Sequence, residues 1–206
     1  MSRMPIRIVK VGGSLLELPD LAHRLRQWLA SQSAAHHVLL AGGGPLVNQV
    51  RTWHNQQPLN DEAAHWMCVD LLTVTAHLLH DRLPEIPLVE DDRWLLQRVG
   101  ERACTLFGPA PWMRNSEPNL PGTPLNASWD VTSDSIAGRL AIGLIADELV
   151  LMKSTIPALC QLEFLAVDGY VDAMFARLGA ELPSVRLVNL RLQPPEEVSL
   201  DFGFSG

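Results

Sequence analysis

Lysine is almost absent from this sequence: Lys10 and Lys153 stand against fourteen arginines. Basic residues are outnumbered, 16 to 23, and the net charge of −7 excludes the basic face that nucleic-acid binding needs. A basic pocket for one small anion is compatible with that balance. Cysteine is scarce, and Cys68, Cys104 and Cys160 show no CxxC spacing. They read as reduced, buried thiols, not as a disulfide framework. No run approaches the roughly 18 apolar residues of a membrane helix. The opening stretch, residues 1–7, has no apolar core of the kind a signal peptide carries, so a cytoplasmic location is expected.

The familiar phosphate signatures are missing too. A Walker A loop places lysine directly after glycine, and neither lysine here follows one. A dinucleotide fingerprint beginning at Gly42 requires glycine at position 47, where Val47 stands. Seven histidines include His36-His37 and His77/His80, without an HExxH or a cysteine at ligand spacing, so no protein metal site is expected from them.

What is present is an alternation of strand and helix. Strands are expected at 6–11, 37–41, 86–89, 103–107, 148–152 and 185–190. Helices are expected at 20–32, 45–56, 61–82, 92–100, 133–145 and 170–178, with Asp20 and Asp61 as N-caps of the first and third. Residues 108–127, rich in Pro, Asn and Gly, read as a loop over a site. Such alternation predicts an α/β protein with a mainly parallel sheet and helices on both faces. At 206 residues and 47% hydrophobic content, one globular domain is the expectation.

Against this pattern the two lysines gain meaning, because each ends an apolar run, residues 6–9 and 148–152. Two glycine-rich turns, Gly12-Gly13-Ser14 and Gly42-Gly43-Gly44-Pro45, follow strands and precede helical segments. Glycine lets backbone approach a phosphate there, and a helix N-terminus offers free N–H groups. The third element is Trp129-Asp130-Val131-Thr132-Ser133-Asp134, in which Thr132 or Ser133 caps a helix and Asp134 lies in its first turn.

These three segments, in order, resemble the signatures of the amino acid kinase superfamily, which includes acetylglutamate, aspartate, uridylate and isopentenyl phosphate kinases. The resemblance spans about residues 6–190. It implies an open αβα sandwich with the acceptor over residues 1–128 and the nucleotide over 129–206. It further implies ATP and Mg²⁺ as co-reactants and a homo-oligomer. Lys10 matches the lysine that neutralises the transferring phosphoryl group, Asp134 the aspartate that organises the lysines, and Lys153 the lysine near the nucleotide phosphates. Gly12, Gly13, Ser14, Ser154, Thr155, Asp168 and Gly169 are implied on the nucleotide side. Gly42, Gly43, Gly44, Asp61, His65, Trp129, Asp130 and Thr132 are implied on the acceptor side.

Narrower likeness lies in residues 61–67 (DEAAHWM), 129–134 and 167–172, which are similar to the kinase of methanofuran biosynthesis. That enzyme converts an aminomethylfuran-methyl phosphate to its diphosphate, and the resemblance implies a phosphomonoester acceptor carrying a flat ring and an amine. Arg51 and Arg139 are the candidate partners of its phosphate. The alternatives are UMP, isopentenyl phosphate or an amino-acid carboxylate as acceptor, or a non-catalytic nucleotide or oxyanion binder on the same fold.

Overall fold

The computed structural model describes residues 3–98 and 103–202. Its centre is a seven-stranded sheet built from β1 (Ile6–Val11), β2 (His36–Ala41), β3 (Leu88–Val89), β4 (Cys104–Phe107), β5 (Glu148–Lys153), β6 (Ser184–Asn189) and β7 (Glu196–Ser199). The strand order is β3-β4-β2-β1-β5-β6-β7, and every pairing is parallel except that of β6 with β7. Helices α1 (Leu21–Ser31), α2 (Gly44–Gln56), α3 (Asp61–Arg82), α4 (Asp92–Arg98), α5 (Ala110–Asn115), α6 (Ser133–Gly143), α7 (Leu162–Val167) and α8 (Ala173–Leu178) fill the connections.

β1 reads IRIVKV, and all six of its residues are buried, as the central strand of a doubly covered parallel sheet must be. Side chains alternate between faces. Ile6 and Ile8 join Val38, Leu40, Leu149, Leu151 and Leu187 against Ile136, Ala137 and Leu140 of α6 and Phe175 of α8. Val9 and Val11 join Leu39, Val150 and Met152 on the other face, against Leu21, Leu25 and Trp28 of α1. Each such buried aliphatic side chain contributes about 1.5–3 kcal/mol. The same alternation assigns Lys10 of β1 and Lys153 of β5 to the α6 face, in line with Ile8 and Leu151. Parallel neighbours then bring both lysines to the carboxyl end of the sheet.

Several local expectations are corrected. Asn60, not Asp61, caps α3, its side chain accepting from Ala63 N at 3.0 Å. Asp20 stands at the N-cap of α1 but bonds Arg24 instead of the helix amides. The 108–127 stretch is not one irregular loop, since it holds α5 and a 3-10 turn at Glu117–Asn119, each with proline in its first turn. The helix expected at 92–100 runs over Asp92–Arg98, and residues 99 and 100 lie outside the described residues. β7 went unpredicted because its EEVS carries no apolar alternation; it is a polar edge strand. The three cysteines are free and half-buried. Among the described residues no helix is long and apolar enough to cross a membrane.

Candidate active site

At the carboxyl end of β1 and β5, Lys10 and Lys153 converge on one carboxylate. Lys10 Nζ lies 2.9 Å from Asp134 Oδ1, and Lys153 Nζ lies 2.6 Å from Asp134 Oδ2. Lys153 also donates to the Tyr170 carbonyl at 2.6 Å and sits 4.8 Å from the centre of the Tyr170 ring. The Lys10 contact is ionic and not aligned as a hydrogen bond, so Oδ1 lacks a well-directed donor. Lys10 and Asp134 are only 5% exposed each.

Burial of that depth works against both charged forms. It pushes the Lys10 ammonium below the ordinary lysine range, helped by Lys153, while Asp134 opposes the fall. Burial also acts to raise Asp134, but the two lysines outweigh it and hold the carboxyl at about 2. Two lysines share one carboxylate at a nearly dry position, so the groups in direct contact there include more cations than anions. That is a site for an anion.

Backbone geometry completes the floor. Thr132 caps α6, its Oγ1 accepting from Asp134 N, so Thr132 is the cap and Asp134 is left free for the lysines. The two glycine turns lie against each other: a Cβ on Gly13 would overlap the backbone of Gly44, and Gly44 itself has φ +54°. Gly42 N–H donates to Val11 O and Gly12 N–H to Met152 O, which locks each turn to its neighbouring strand. Gly43 and Gly44 open α2, presenting its N-terminus beside Lys10.

A cavity of about 290 Å³ opens in front of this floor. Lys10, Gly13, Ser14, Gly43, Gly44, Thr132 and Asp134 form its charged end. Val47, Val69, Leu72, His65 and Trp129 form its apolar body, with Arg51, Asn48 and Cys68 also lining it. His65 Nδ1 lies 3.2 Å from the Ser128 carbonyl, which only accepts, so Nδ1 carries the proton. Burial lowers the His65 pKa, which favours the neutral ring, in which Nε2 is an acceptor.

Other residues expected at the site stand elsewhere. Asp61 and Asp130 are exposed and do not line the cavity, because Asp61 opens α3 at the surface and Asp130 precedes the inward turn at Val131. Arg139 is fully buried, its guanidinium donating to Glu117 Oε1 at 2.8 Å and to the Pro121 and Leu120 carbonyls; it is not a ligand group. Arg51 is the arginine that reaches the cavity. Trp66 packs on the core with the Arg114 guanidinium 4.7 Å from its ring centre.

On the other side of the lysines, Ser14 Oγ and Ser154 Oγ are 3.3 Å apart, and the Thr155 carbonyl accepts from the Tyr170 hydroxyl at 2.8 Å. Asp168 and Gly169 form the exposed turn after α7, with Gly169 at φ +67°. Sequence reading missed Tyr170, Ser128 and Asp172 as parts of the site. Tyr170 and Asp172 lie within the 167–172 segment already singled out in the sequence, and Asp172 also carries a local signal, three residues before the buried Phe175 at a helix start; Ser128 carries none.

The architecture is that of the amino acid kinase-like α/β fold. Neither a family model nor a curated protein matches the sequence. Solved structures do match. The UMP kinase of Ureaplasma parvum superposes with a TM-score of 0.64 at 12% identity, over 94% of this chain and 93% of that one. The UMP kinase of Bacillus anthracis gives 0.62 at 11%, over 93% and 89%. The aspartate kinase of Synechocystis gives 0.63 at 15%, covering 95% of this chain but 40% of the other. At such identities the likeness is one of fold.

Proposed function

We propose that the protein is an ATP-dependent phosphotransferase of the amino acid kinase superfamily. The observation that carries this reading is the buried Lys10–Asp134–Lys153 cluster beside a cavity at the carboxyl end of the sheet. Phosphoryl transfer asks a protein for alignment and charge neutralisation. In this reading an acceptor oxygen attacks the terminal phosphorus of ATP, the bond to the bridging oxygen breaks, and ADP leaves. Lys10 and Lys153 neutralise the equatorial oxygens, and Asp134 holds both ammonium groups in place. The Gly13 and Gly44 turns orient the two phosphates. Residues 1–128 hold the acceptor and 129–206 the nucleotide.

Mg²⁺ fits this chain only as part of the nucleotide substrate. Both Asp134 oxygens face lysines, and the described residues contain no group of three His, Cys, Asp or Glu that would hold a metal. No protein step is therefore assigned to it.

The acceptor we infer is a phosphomonoester with one flat ring, the aminomethylfuran-methyl phosphate first. Its phosphate is already an anion, which suits a site without a general base. Val47, Leu72 and Trp129 suit a ring, and the neutral His65 supplies Nε2 to accept from an ammonium group. That role falls to His65 because Asp61 and Asp130 are outside the cavity. UMP, the substrate named for two similar structures, is the second reading. A cavity at the lower end of the range for small-ligand sites favours the single ring. On the same reading the chain is a cytoplasmic homodimer, which light scattering at micromolar concentration would register as twice the chain mass.

The deciding experiment mixes the pure protein with MgATP and, separately, the furan phosphate, UMP, isopentenyl phosphate and acetylglutamate, and measures ADP. The expected result is the highest kcat/KM for the furan phosphate. A higher value for UMP or a carboxylate overturns the acceptor, and nucleotide binding without ADP from any of them returns the protein to the class of binders.

A further inference from the structure

The segment from Tyr170 to Asp172 touches Lys153 of the cluster and the start of α6, the helix that carries Asp134, although it lies after α7 and outside the three glycine- and aspartate-bearing motifs. Tyr170 accepts Lys153 Nζ through its carbonyl and lies under it with its ring. Two residues on, the Asp172 carboxylate closes the start of α6. Its Oδ2 accepts from Thr132 N at 3.2 Å, Thr132 Oγ1 at 2.6 Å, Ser135 N at 3.1 Å and Ser135 Oγ at 3.1 Å. Its Oδ1 accepts from Phe175 N at 2.7 Å and caps α8.

Bonds from both Thr132 and Ser135 to one oxygen exceed what a cap requires, even with the Ser135 hydroxyl shared with the Thr132 carbonyl and Thr132 N with Ser135 Oγ. One bond to the N2 or N3 amide satisfies a helix start, and Thr132 with Ser135 already forms a capping box on α6. The extra bonds tie α6 to α8 at Thr132 and Ser135, one on either side of Asp134 in the chain. Asp172 is also a second negative charge near the lysines: it favours the Lys10 ammonium, and its own carboxyl is pushed up by burial and by Asp134. The groups acting on Lys10 are then Asp134 of α6, Lys153 of β5 and Asp172 at the head of α8.

We propose that Asp172 is a positioning residue, and that the Tyr170–Asp172 segment is a clamp setting the geometry and charge of the Lys10–Asp134–Lys153 cluster from outside it. The consequence for turnover rests on the phosphotransferase reading above; the clamp itself does not. Asp172→Asn keeps the volume, removes the charge, and places an NH₂ group against either the Phe175 N–H or the Thr132 and Ser135 donors.

With only two lysines in the chain, the test reads them directly. Protein labelled with ¹⁵N-lysine gives two Nζ signals, assigned with Lys10→Met and Lys153→Met. In Asp172→Asn, circular dichroism should show the helices retained. The Lys10 titration should move to lower pH by roughly half a unit, as expected when a nearby negative charge is lost. The Lys153 signal, sheltered by Asp134 and the Tyr170 carbonyl, should broaden. The kcat should fall about tenfold or more with KM for either substrate within about twofold. Lysine signals unmoved in a folded Asp172→Asn overturn the proposal and leave Asp172 a cap. If that variant does not fold, Ser135→Ala, which drops one donor and keeps the charge, should broaden Lys153 without shifting Lys10. An unchanged Lys153 there overturns the clamp equally. Shifted lysine signals in a protein that makes no ADP with any acceptor uphold the clamp and refute the kinase.

Discussion

Replacing Asp134 by asparagine leaves two buried ammonium groups facing an amide. Removing one partner of a buried ion pair costs about 3–5 kcal/mol, because the remaining charge stays desolvated. Asp134→Asn should therefore lower the urea midpoint as well as abolish turnover, and the loss is not one of capping, since Thr132 caps the helix. Adding Lys10→Met to Asp134→Asn removes one of the stranded charges, so the double variant should regain part of the lost stability without regaining activity. Lys10→Met alone should keep the fold and lose about 10²–10³ in kcat, the size of one lost transition-state donor. Additive stability losses in the double variant would mean the three groups are not coupled.

A second residue governs the response to acid. His37 is buried at the start of β2 with its ring edge-on to Trp28, and Nδ1 has no hydrogen-bond partner. Burial, then the charge of Arg7, lowers its pKa to about 4. The unfolded chain takes up that proton from about pH 6.5 downward and the folded chain does not, so stability falls as pH drops from 6.5 toward 4 and levels off below. Asp134 acts lower: its folded pKa near 2 makes its contribution complete above the unfolded value of 3.8 and lost as pH falls through 2. Thermal melts of His37→Gln should show a flatter slope than the parent between pH 6.5 and 4, and the same slope in both proteins would remove His37 from the account.

Among the elements, the chain from α5 to α6 is held by one buried ion pair and one exposed carboxylate. Arg139 of α6 is wholly buried, and Glu117 answers it while also accepting from Leu125 N. The Thr123 hydroxyl and N–H donate to Glu181 beyond α8. This Pro-rich span is thereby fastened at three points and forms a fixed wall leading to Ser128 and Trp129 of the cavity. Arg139→Met strands Glu117 and should destabilise by about 3–5 kcal/mol, whereas Arg139→Met with Glu117→Leu should recover much of that. Denaturant midpoints of the single and double variants measure it. Equal midpoints for Arg139→Met and the parent would show the span to be held otherwise.

For the molecule as a whole, β1 pairs with β2 on one side and β5 on the other, and the proposed function gives the acceptor to one half of the chain and the nucleotide to the other. Lys10 borders the cavity, whereas Lys153 does not line it and is held by Asp134 and Tyr170. Lys153→Ala should therefore raise KM for ATP more than KM for the acceptor, and steady-state kinetics with each substrate varied would show it. Equal increases would reverse the assignment of the two halves.

How much of this was legible follows from the range of each interaction. Alternating apolar runs, two glycine turns and a helix start with Thr132 and Asp134 are local patterns, and local patterns specify strands, helices and their order. Rarity and a place at the end of an apolar run mark out Lys10 and Lys153, and the register of β1 with β5 then puts them on one face. The sequence by itself therefore determined the α/β class and the three groups of the charged cluster. Contacts between residues far apart in the chain carry no such signature. Only the tertiary structure decided that Arg139 is spent on Glu117, that Asp61 and Asp130 stay at the surface, and that Asp172, 38 positions beyond Asp134, fastens the helix that carries it. The physical reason is shared by Arg139 and Asp172. A buried polar group must find its partner wherever the packed chain brings one, and sequence spacing does not record which.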